Sequence, residues 1–361
     1  KSLQDGGPLG AVEADGAVMI EGHEVGRIEG LLPVLGGDKA ENGEIERRAI
    51  NSAARKVIGP ELMRRVKALV AADDAAFTLD DVGRILWQDQ ADQPAAPVGR
   101  LCAGATALAP RLEALASDQL GGDAREAVRR RLAIWLDAHL AELISPLRDL
   151  QAAELDGPAR GIAFLLVEGL GNVRMVEVEA QMKGLSKAAR GQLSKLGVRF
   201  GVRHLFLPSM LKAKTVTLRA RLWAVQQGMS DLTLPPPGRV SLDASSFDGG
   251  YGFAIGFELL GRHALRIDIV ERLAADLRRA SKDGASFELS PAMMAISGLG
   301  RDDLGAVVEQ LGFTVDDQGN YRRHVLRPRR KSAKKKAKEK DDLAASPFAA
   351  LQSLRFKTGT A

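Results

Sequence analysis

Alternating apolar positions near the start of the chain predict a β-hairpin over residues 17–35 (AVMIEGHEVGRIEGLLPVL). Apolar residues recur at every second position in each arm, and Glu21-Gly22-His23 supplies the turn. A helical apolar period follows over Glu44–Ala71. Gly59-Pro60 interrupts this period, so we expect two shorter helices rather than one.

A second pair of strand-like arms follows, separated by a polar loop. Its segment Val98-Gly99-Arg100-Leu101 nearly copies Val25-Gly26-Arg27-Ile28, which indicates a weak internal repeat over Ala17–Leu115. The glycine of each copy predicts a β-bulge or a close backbone approach. Recurrent turn chemistry in a small sheet is the preferred explanation, although Arg27 and Arg100 could also face a phosphate.

From Asp123 onward the pattern is helical. Asp123 can cap a helix that runs to about Arg148, and Ser145-Pro146 can kink it. Its apolar stripe consists of Val128, Leu132, Trp135, Leu136, Leu140 and Ile144. Two further helices are predicted over about 157–170 and 176–182.

The next stretch, Lys183–Arg221, predicts a helix, a strand and another helix. Ser186 is a suitable helix N-cap, and Gly197 is a suitable helix stop. Residues 198–207 have the composition of a strand. A helix over about 208–228 follows, with apolar residues directed inward.

A proline-rich linker at 233–238 precedes a small mixed unit. A strand and a helix are predicted over 263–280, two helices over 290–311 and a hairpin over 312–325. Helix, turn, helix and hairpin is the order of a winged helix. A small packing module that never touches nucleic acid has the same signature.

The predicted fold class is mainly α with small β-hairpin units, that is α+β. At 361 residues the chain can hold two or three domains. Because it begins at Lys1 rather than Met, we expect a piece of a longer protein. The predicted divisions are a linker (1–15), a hairpin-plus-helix repeat region (16–120), a helical domain (121–232), a winged-helix-like unit (233–325) and a basic tail (326–361).

That tail contains a charge block, Arg327–Lys340, followed by the short apolar segment Ser346–Phe356. The block is expected to be disordered and to bind polyanions non-specifically. The apolar segment could form an amphipathic helix that docks on a partner.

Charge is concentrated in one folded stretch. The chain has 51 basic and 46 acidic residues, whereas Lys183–Arg221 has ten Lys or Arg and no Asp or Glu. A folded basic surface usually meets a polyanion, because each neutralised phosphate releases counterions. The alternative is a solvated face whose acidic partners lie elsewhere in sequence. The candidate nucleic-acid-binding residues are Lys187, Arg190, Lys195, Arg199, Arg203, Lys212, Lys214 and Arg219, with those of the last helix reaching solvent by snorkelling.

The composition argues against several other classes of protein and binding site. Aromatic residues make up only 4%, which disfavours a base-stacking platform. One cysteine (Cys102) excludes a disulfide framework, and the five histidines lack ligand spacing. No apolar run is long enough to span a membrane, and no signal peptide is recognisable, so a cytoplasmic location is expected.

Catalytic motifs are also missing from the sequence. It contains no Gly-x-x-x-x-Gly-Lys-[Ser/Thr] phosphate loop and no Gly-x-Ser-x-Gly elbow. The acidic pairs Asp73-Asp74, Asp80-Asp81 and Asp302-Asp303 are explained by turns and helix starts. We therefore expect neither a catalytic site nor a cofactor in this chain.

An ordered series of stretches resembles a known family. The series is GRIEG, FTLDDVGRILWQDQ, PVGRL, RLAIWLDAHLAELISPL, DGPARGIAFLLVEGLG, LSKLGVRFGVRHLFLPSMLK, TLRARLWAV, LPPPGRVSL, RIDIVERLA and SPFAAL. Over about Ala17–Tyr321 it is similar to the C-terminal region of bacterial helicases related to the mitochondrial degradosome RNA helicase. LGVRFGVRHLFLP is its most specific stretch.

The resemblance implies a parent ATP-dependent superfamily 2 helicase whose two RecA-like motor domains precede this region. ATP and Mg²⁺ would bind in those motors, and no ATPase residue carries over to this chain. The implied partners are RNA or another single-stranded nucleic acid and the chain's own motor. The alternative is a scaffold that docks a nuclease or another RNA-processing protein.

Overall fold

The computed structural model describes residues 10–13, 15–35, 44–90, 93–229 and 231–323. The predicted basic tail with its apolar end, His324 and most of the predicted N-terminal linker lie outside these residues. Within them the protein is a mixed α+β fold, as predicted. None of the described helices is both long and apolar enough to cross a bilayer.

The first unit is a four-stranded antiparallel sheet followed by a long helix. The predicted hairpin forms two of its strands, joined by Glu21 and Gly22, which both have positive φ (51° and 84°). The elements are β1 (Gly10–Val12), β2 (Ala17–Ile20), β3 (His23–Glu29), β4 (Leu32–Leu35) and α1 (Glu44–Ala71).

Helix α1 is continuous, so the prediction of two shorter helices is wrong. Pro60 lies inside the helix. The buried stripe extends on both sides of it and comprises Ala54, Ile58, Leu62, Val66 and Leu69. Burial of these side chains on one core outweighs the hydrogen bond that proline cannot donate.

The second unit repeats this plan. A 3₁₀ turn (Asp74–Ala76) leads into a second four-stranded sheet of β5 (Phe77–Leu79), β6 (Arg84–Trp87), β7 (Ala96–Cys102) and β8 (Arg111–Ala114), followed by α2 (Gly122–Ala152). The predicted apolar stripe of α2 is buried, and the helix is kinked at Ile144, near the expected Pro146. The predicted cap is wrong: Gly121 is the N-cap, and Asp123 lies in the first turn.

The two sheets share a β-bulge at the same position. In the first, Val18 pairs with Gly26 and the register then shifts past Val25. In the second, Ile85 pairs with Gly99 and the register shifts past Val98. A Cβ on Gly26 would overlap the carbonyl oxygen of Val34, and one on Gly99 would lie 2.9 Å from Leu132 Cδ1. The predicted bulges, close approaches and repeat are therefore present.

The basic stretch lies in a third region of short elements. These are α3 (Gly157–Glu168), β9 (Asn172–Arg174), α4 (Glu179–Gly184), α5 (Lys187–Lys195), β10 (Arg199–Phe200), β11 (His204–Phe206) and α6 (Ala213–Gln227). The three strands form a sheet in the order β10-β11-β9. The single strand predicted over 198–207 is wrong, because the chain turns back at Gly201–Arg203. Helix α6 begins after a 3₁₀ turn at Pro208–Leu211 and ends at Gly228 with φ 67°.

The last region begins with β12 (Ser241–Asp243), α7 (Gly249–Ala254), β13 (Phe257–Leu260) and β14 (His263–Arg266). It continues with α8 (Ile267–Ala280), α9 (Pro291–Ser297), α10 (Arg301–Gln310), β15 (Phe313–Val315) and β16 (Tyr321–Arg323). The Ser290 hydroxyl accepts a hydrogen bond from the Met293 amide and caps α9. The predicted order of helices and hairpin is confirmed.

The hydrophobic cores cross the predicted divisions. One cluster of buried residues extends from Val18 to Leu222, so the division at 120/121 lies within a shared core. A second cluster lies between Leu260 and Phe313. A third joins Val216 of α6 to Tyr251 of α7, across the division at 232/233. The basic stretch is thus held between the large core and the C-terminal unit.

Candidate nucleic-acid interface

Helix α5 carries three of the candidate cations. The Ser186 hydroxyl accepts a hydrogen bond from the Ala189 amide (3.1 Å), as expected of an N-cap. Leu193 is buried, and Lys187, Arg190 and Lys195 are exposed. The helix therefore fixes its cations on a solvent-facing surface.

Strand β10 adds Arg199 to this surface. Arg199 is exposed, and the guanidinium of Arg190 lies 4.5 Å from the ring centre of Phe200. This cation–π contact joins α5 to β10 and limits the freedom of the Arg190 side chain. Arg203, in the turn after β10, is partly buried, and its Nε has no hydrogen-bond partner in the part of the chain that the structure describes.

Two lysines lie at the start of α6, six or more residues after β11. Lys212 is the N-cap residue and Lys214 lies in the first turn, and both are exposed. They follow β11, whereas Lys187, Arg190, Lys195 and Arg199 lie on α5 and β10 before it. The interface is therefore two groups of cations on one folded segment.

Arg219 is not a surface residue, so its assignment to the interface is wrong. Its side chain is 0% exposed. Nη1 donates to the carbonyl oxygen of Met210 (2.8 Å), and Nη2 donates to Asn172 Oδ1. Burial lowers the pKa of Arg219. The guanidinium thus ties α6 to the 3₁₀ turn before it and to β9, and it is out of reach of a phosphate.

Most of the surface cations lack acidic partners. Within the described parts of the chain, no carboxylate lies within 4.0 Å of the side-chain nitrogens of seven candidates: Lys187, Arg190, Lys195, Arg199, Arg203, Lys212 and Lys214. The two ends of the stretch differ, since Lys183 pairs with Glu179 (2.8 Å) and Arg221 with Asp81 (2.8 Å). The alternative interpretation, a solvated basic face that is neutralised by acidic partners, therefore describes only these two ends.

The two arginines of the repeated hairpins are also paired. Arg27 lies 3.1 Å from Asp15, and Arg100 lies 2.9 Å from Glu113. The hydrogen bond and charge of Glu113 raise the pKa of Arg100. Both guanidiniums already have an anionic neighbour, so their use as phosphate contacts is not supported.

A buried ionic cluster holds the turn that carries the basic strands. Glu271 of α8 accepts hydrogen bonds from the amides of Val202, Arg203 (2.9 Å) and His204 (2.8 Å). The ring Nδ1 of His204 lies 2.8 Å from the same carboxylate, and its Nε2 lies 3.5 Å from Glu258. A Cβ on Gly201 would overlap the Glu271 carboxylate, so the turn requires glycine there.

Strand β9 completes this cluster. Arg174 donates to both carboxylate oxygens of Glu258 (3.0 and 3.4 Å), and its guanidinium lies 3.9 Å from the ring centre of Phe253. Burial alone would lower the pKa of His204, but hydrogen bonds and charge from Glu258 and Glu271 outweigh it and raise the pKa. Burial likewise would raise the pKa of Glu258, but His204 and Arg174 lower it.

The sequence pattern does not predict this cluster, although two of its residues stand out in their context. Glu271 lies on the apolar stripe of α8, four residues after Ile267 and three before Ala274, where a solvated glutamate is not expected. His204 precedes the apolar run Leu205–Leu207. Neither signal identifies the partner, because the two residues are 67 positions apart.

Within the described residues, no group of three or more His, Cys, Asp or Glu side chains is arranged to hold a metal ion. Searches against family models, curated proteins and solved structures find no match for this chain. The resemblance to a helicase C-terminal region therefore stays a prediction, and the function has to be argued from the surface itself.

Proposed function

We propose that this chain binds the phosphate backbone of RNA or single-stranded DNA, as an accessory region of an ATP-dependent helicase. The observation that carries the proposal is the set of exposed cations on α5, β10 and the start of α6 that have no carboxylate partner among the described residues. Elsewhere in the described chain, most arginines pair with acids. An unpaired, positioned set of cations is the electrostatic footprint of a polyanion site.

The mechanism is electrostatic grip rather than base reading. Each phosphate that a lysine or arginine neutralises releases counterions, so binding is favoured by entropy and weakened by salt. Arg190 is held against the ring of Phe200, which restricts its guanidinium before binding and so lowers the further cost in side-chain entropy. Binding of this kind is insensitive to base sequence.

The direct test is the salt dependence of binding to a labelled oligouridylate. Each neutralised phosphate of a single strand contributes a slope of about −0.7 in a plot of log K against log salt concentration. If four to six of the candidate cations engage phosphates, the slope is about −3 to −4. A slope near zero, or no binding at low salt, would refute the proposal.

The parent helicase is the wider part of this proposal. ATP and Mg²⁺ would be bound by motor domains outside this chain, and the chain would guide the strand next to them, in the cytoplasm. The sequence contains no phosphate loop, so we expect no ATP hydrolysis by this chain alone. Helicase motifs upstream of Lys1 in the same reading frame would support this role.

A second candidate is a scaffold that docks a nuclease or another RNA-processing protein. Two large apolar side chains favour it, since Phe164 of α3 is 63% exposed and Val176 is 77% exposed. Replacing both by serine would lower recovery of a protein partner from a nuclease-treated lysate and leave oligouridylate binding unchanged. Equal recovery of the partner by the wild-type chain and by the double serine variant would argue against docking through these residues.

A further inference from the structure

The turn at Gly201–His204 is held by backbone hydrogen bonds and by one side chain that accepts several of its donors. Three successive backbone amides and one imidazole nitrogen converge on the Glu271 carboxylate. This turn joins β10, which carries Arg199, to β11, and it contains Arg203. The basic hairpin (residues 199–206) is therefore anchored to β9 by strand pairing and to the C-terminal unit by a glutamate 67 to 69 residues away in sequence.

His204 is the residue of this cluster that can change its charge near neutral pH. It is 1% exposed, and it lies between Glu271 on α8 and Glu258 on β13. The remaining charged groups that face the cluster are Arg174 of β9, which pairs with Glu258 and approaches Glu177 (3.6 Å), and Arg203 of the turn. With His204 neutral, Glu258 keeps Arg174 as a cationic partner, whereas Glu271 keeps only hydrogen-bond donors among the described residues.

We infer that His204 and Glu271 form a pH-responsive latch that positions the basic hairpin, so that the grip on nucleic acid weakens as His204 loses its proton. This inference rests on the proposed function and adds its regulation. The two residues are positioning residues, since His204 and Glu271 are buried and would not touch the strand themselves.

The direction of the effect follows from the contacts. Protonated His204 donates a hydrogen bond from Nδ1 to Glu271 and attracts the Glu258 carboxylate. These two interactions hold the turn against α8. Deprotonation removes a cation from between two carboxylates and favours separation of the hairpin from α8. The raised pKa of His204 agrees with this preference for the protonated form in the folded protein. For each unit by which closure of the turn raises the pKa of His204, the affinity for nucleic acid can fall by at most about tenfold on deprotonation.

The test compares the full chain with two histidine variants at constant ionic strength, from about pH 5.5 to about pH 9. His204→Gln keeps an amide donor for Glu271 but cannot titrate. His263→Gln is the matched control, because His263 also approaches a carboxylate, Asp303 (3.3 Å), but is on β14 and away from the hairpin. Oligouridylate affinity and hydrogen-exchange protection of the amides of residues 202–204 are measured for each.

In the wild-type chain and in His263→Gln, we expect affinity and amide protection to fall together as the pH rises, by a few-fold to about tenfold. In His204→Gln, both are expected to be flat with pH. The same pH profile in His204→Gln and wild type would overturn the inference while leaving the proposed function intact. If the wild-type chain binds the oligouridylate at no pH, the proposed function fails and the inference fails with it.

Discussion

The repeated sheet-and-helix units (residues 10–152) and the basic stretch (residues 183–221) use the same residue types with different neighbours. In the repeated units, Arg84, Arg100 and Arg129 each lie within 2.6 to 2.9 Å of a carboxylate close in sequence or across a strand. In the basic stretch, Lys187, Lys195 and Arg199 have no such partner among the described residues. We propose that pairing with a carboxylate, rather than the number of basic residues, decides which cations are available to a polyanion.

Burial makes a second distinction inside the basic stretch itself. Arg199 and Arg219 belong to the same acid-free run, but one faces solvent and the other is enclosed by neutral acceptors. The first is expected to act on binding and the second on stability. Each experiment below separates these roles.

The largest effect is expected for Arg219→Ala. It leaves Met210 O and Asn172 Oδ1 buried without their donor and opens a cavity, so the free energy of unfolding should fall by about 3 to 5 kcal/mol. Urea unfolding measures this, and binding by the folded fraction should be unchanged. A loss of oligouridylate affinity with unaltered stability would contradict the burial of this cation.

The next effect is the pH dependence of stability through the buried cluster. The folded-state pKa of His204 is raised, so its contribution is fully present below the unfolded value of about 6.5 and is lost as pH rises through the folded pKa. The folded-state pKa of Glu258 is lowered, so its contribution is lost only as pH falls through that pKa.

Stability from this cluster is therefore greatest at mildly acidic pH, above the unfolded-state pKa of Glu258 and below that of His204, and it falls as the pH rises from there through the folded-state pKa of His204. Each unit of raised pKa at His204 corresponds to about 1.4 kcal/mol. Urea unfolding of wild type and His204→Gln across this pH range measures the difference. A gap between the two chains that grows with rising pH would contradict the raised pKa.

A smaller effect is expected for single exposed cations. Arg199→Ala should reduce the magnitude of the salt slope by about 0.7, since one phosphate contact is lost. Arg100→Ala, at a guanidinium already paired with Glu113, should leave the slope unchanged. Equal changes in the two variants would mean that pairing does not decide which cations bind.

Local patterns predicted much of the fold. The stripe from Val128 to Ile144, the Ser186 cap and the two Val-Gly-Arg bulges each depend on neighbours in sequence, and all are present. The continuous helix through Pro60 was not predictable from local rules, because burial on both sides of the proline decides it.

The sequence predicted which cations form the candidate site, but it did not predict the contacts that hold the site in place. Seven of its cations could be read from an acid-free run, whereas the burial of Arg219 depends on Asn172, 47 residues away, and on the backbone of Met210. The turn at Gly201 depends in the same way on Glu271. Polar contacts between residues far apart in sequence produce no periodic pattern from which they could be predicted.

The central claim is that unpaired cations of the basic stretch, and not paired ones elsewhere, bind the nucleic-acid backbone. Its most direct test is to compare Lys195→Glu/Arg199→Glu with Arg84→Glu/Arg129→Glu, two double variants with the same change in net charge. We expect the first to weaken oligouridylate binding by about tenfold or more at low salt and to flatten its salt dependence, and the second to bind almost as wild type. Equal losses in both variants, with both folded by circular dichroism, would contradict the account.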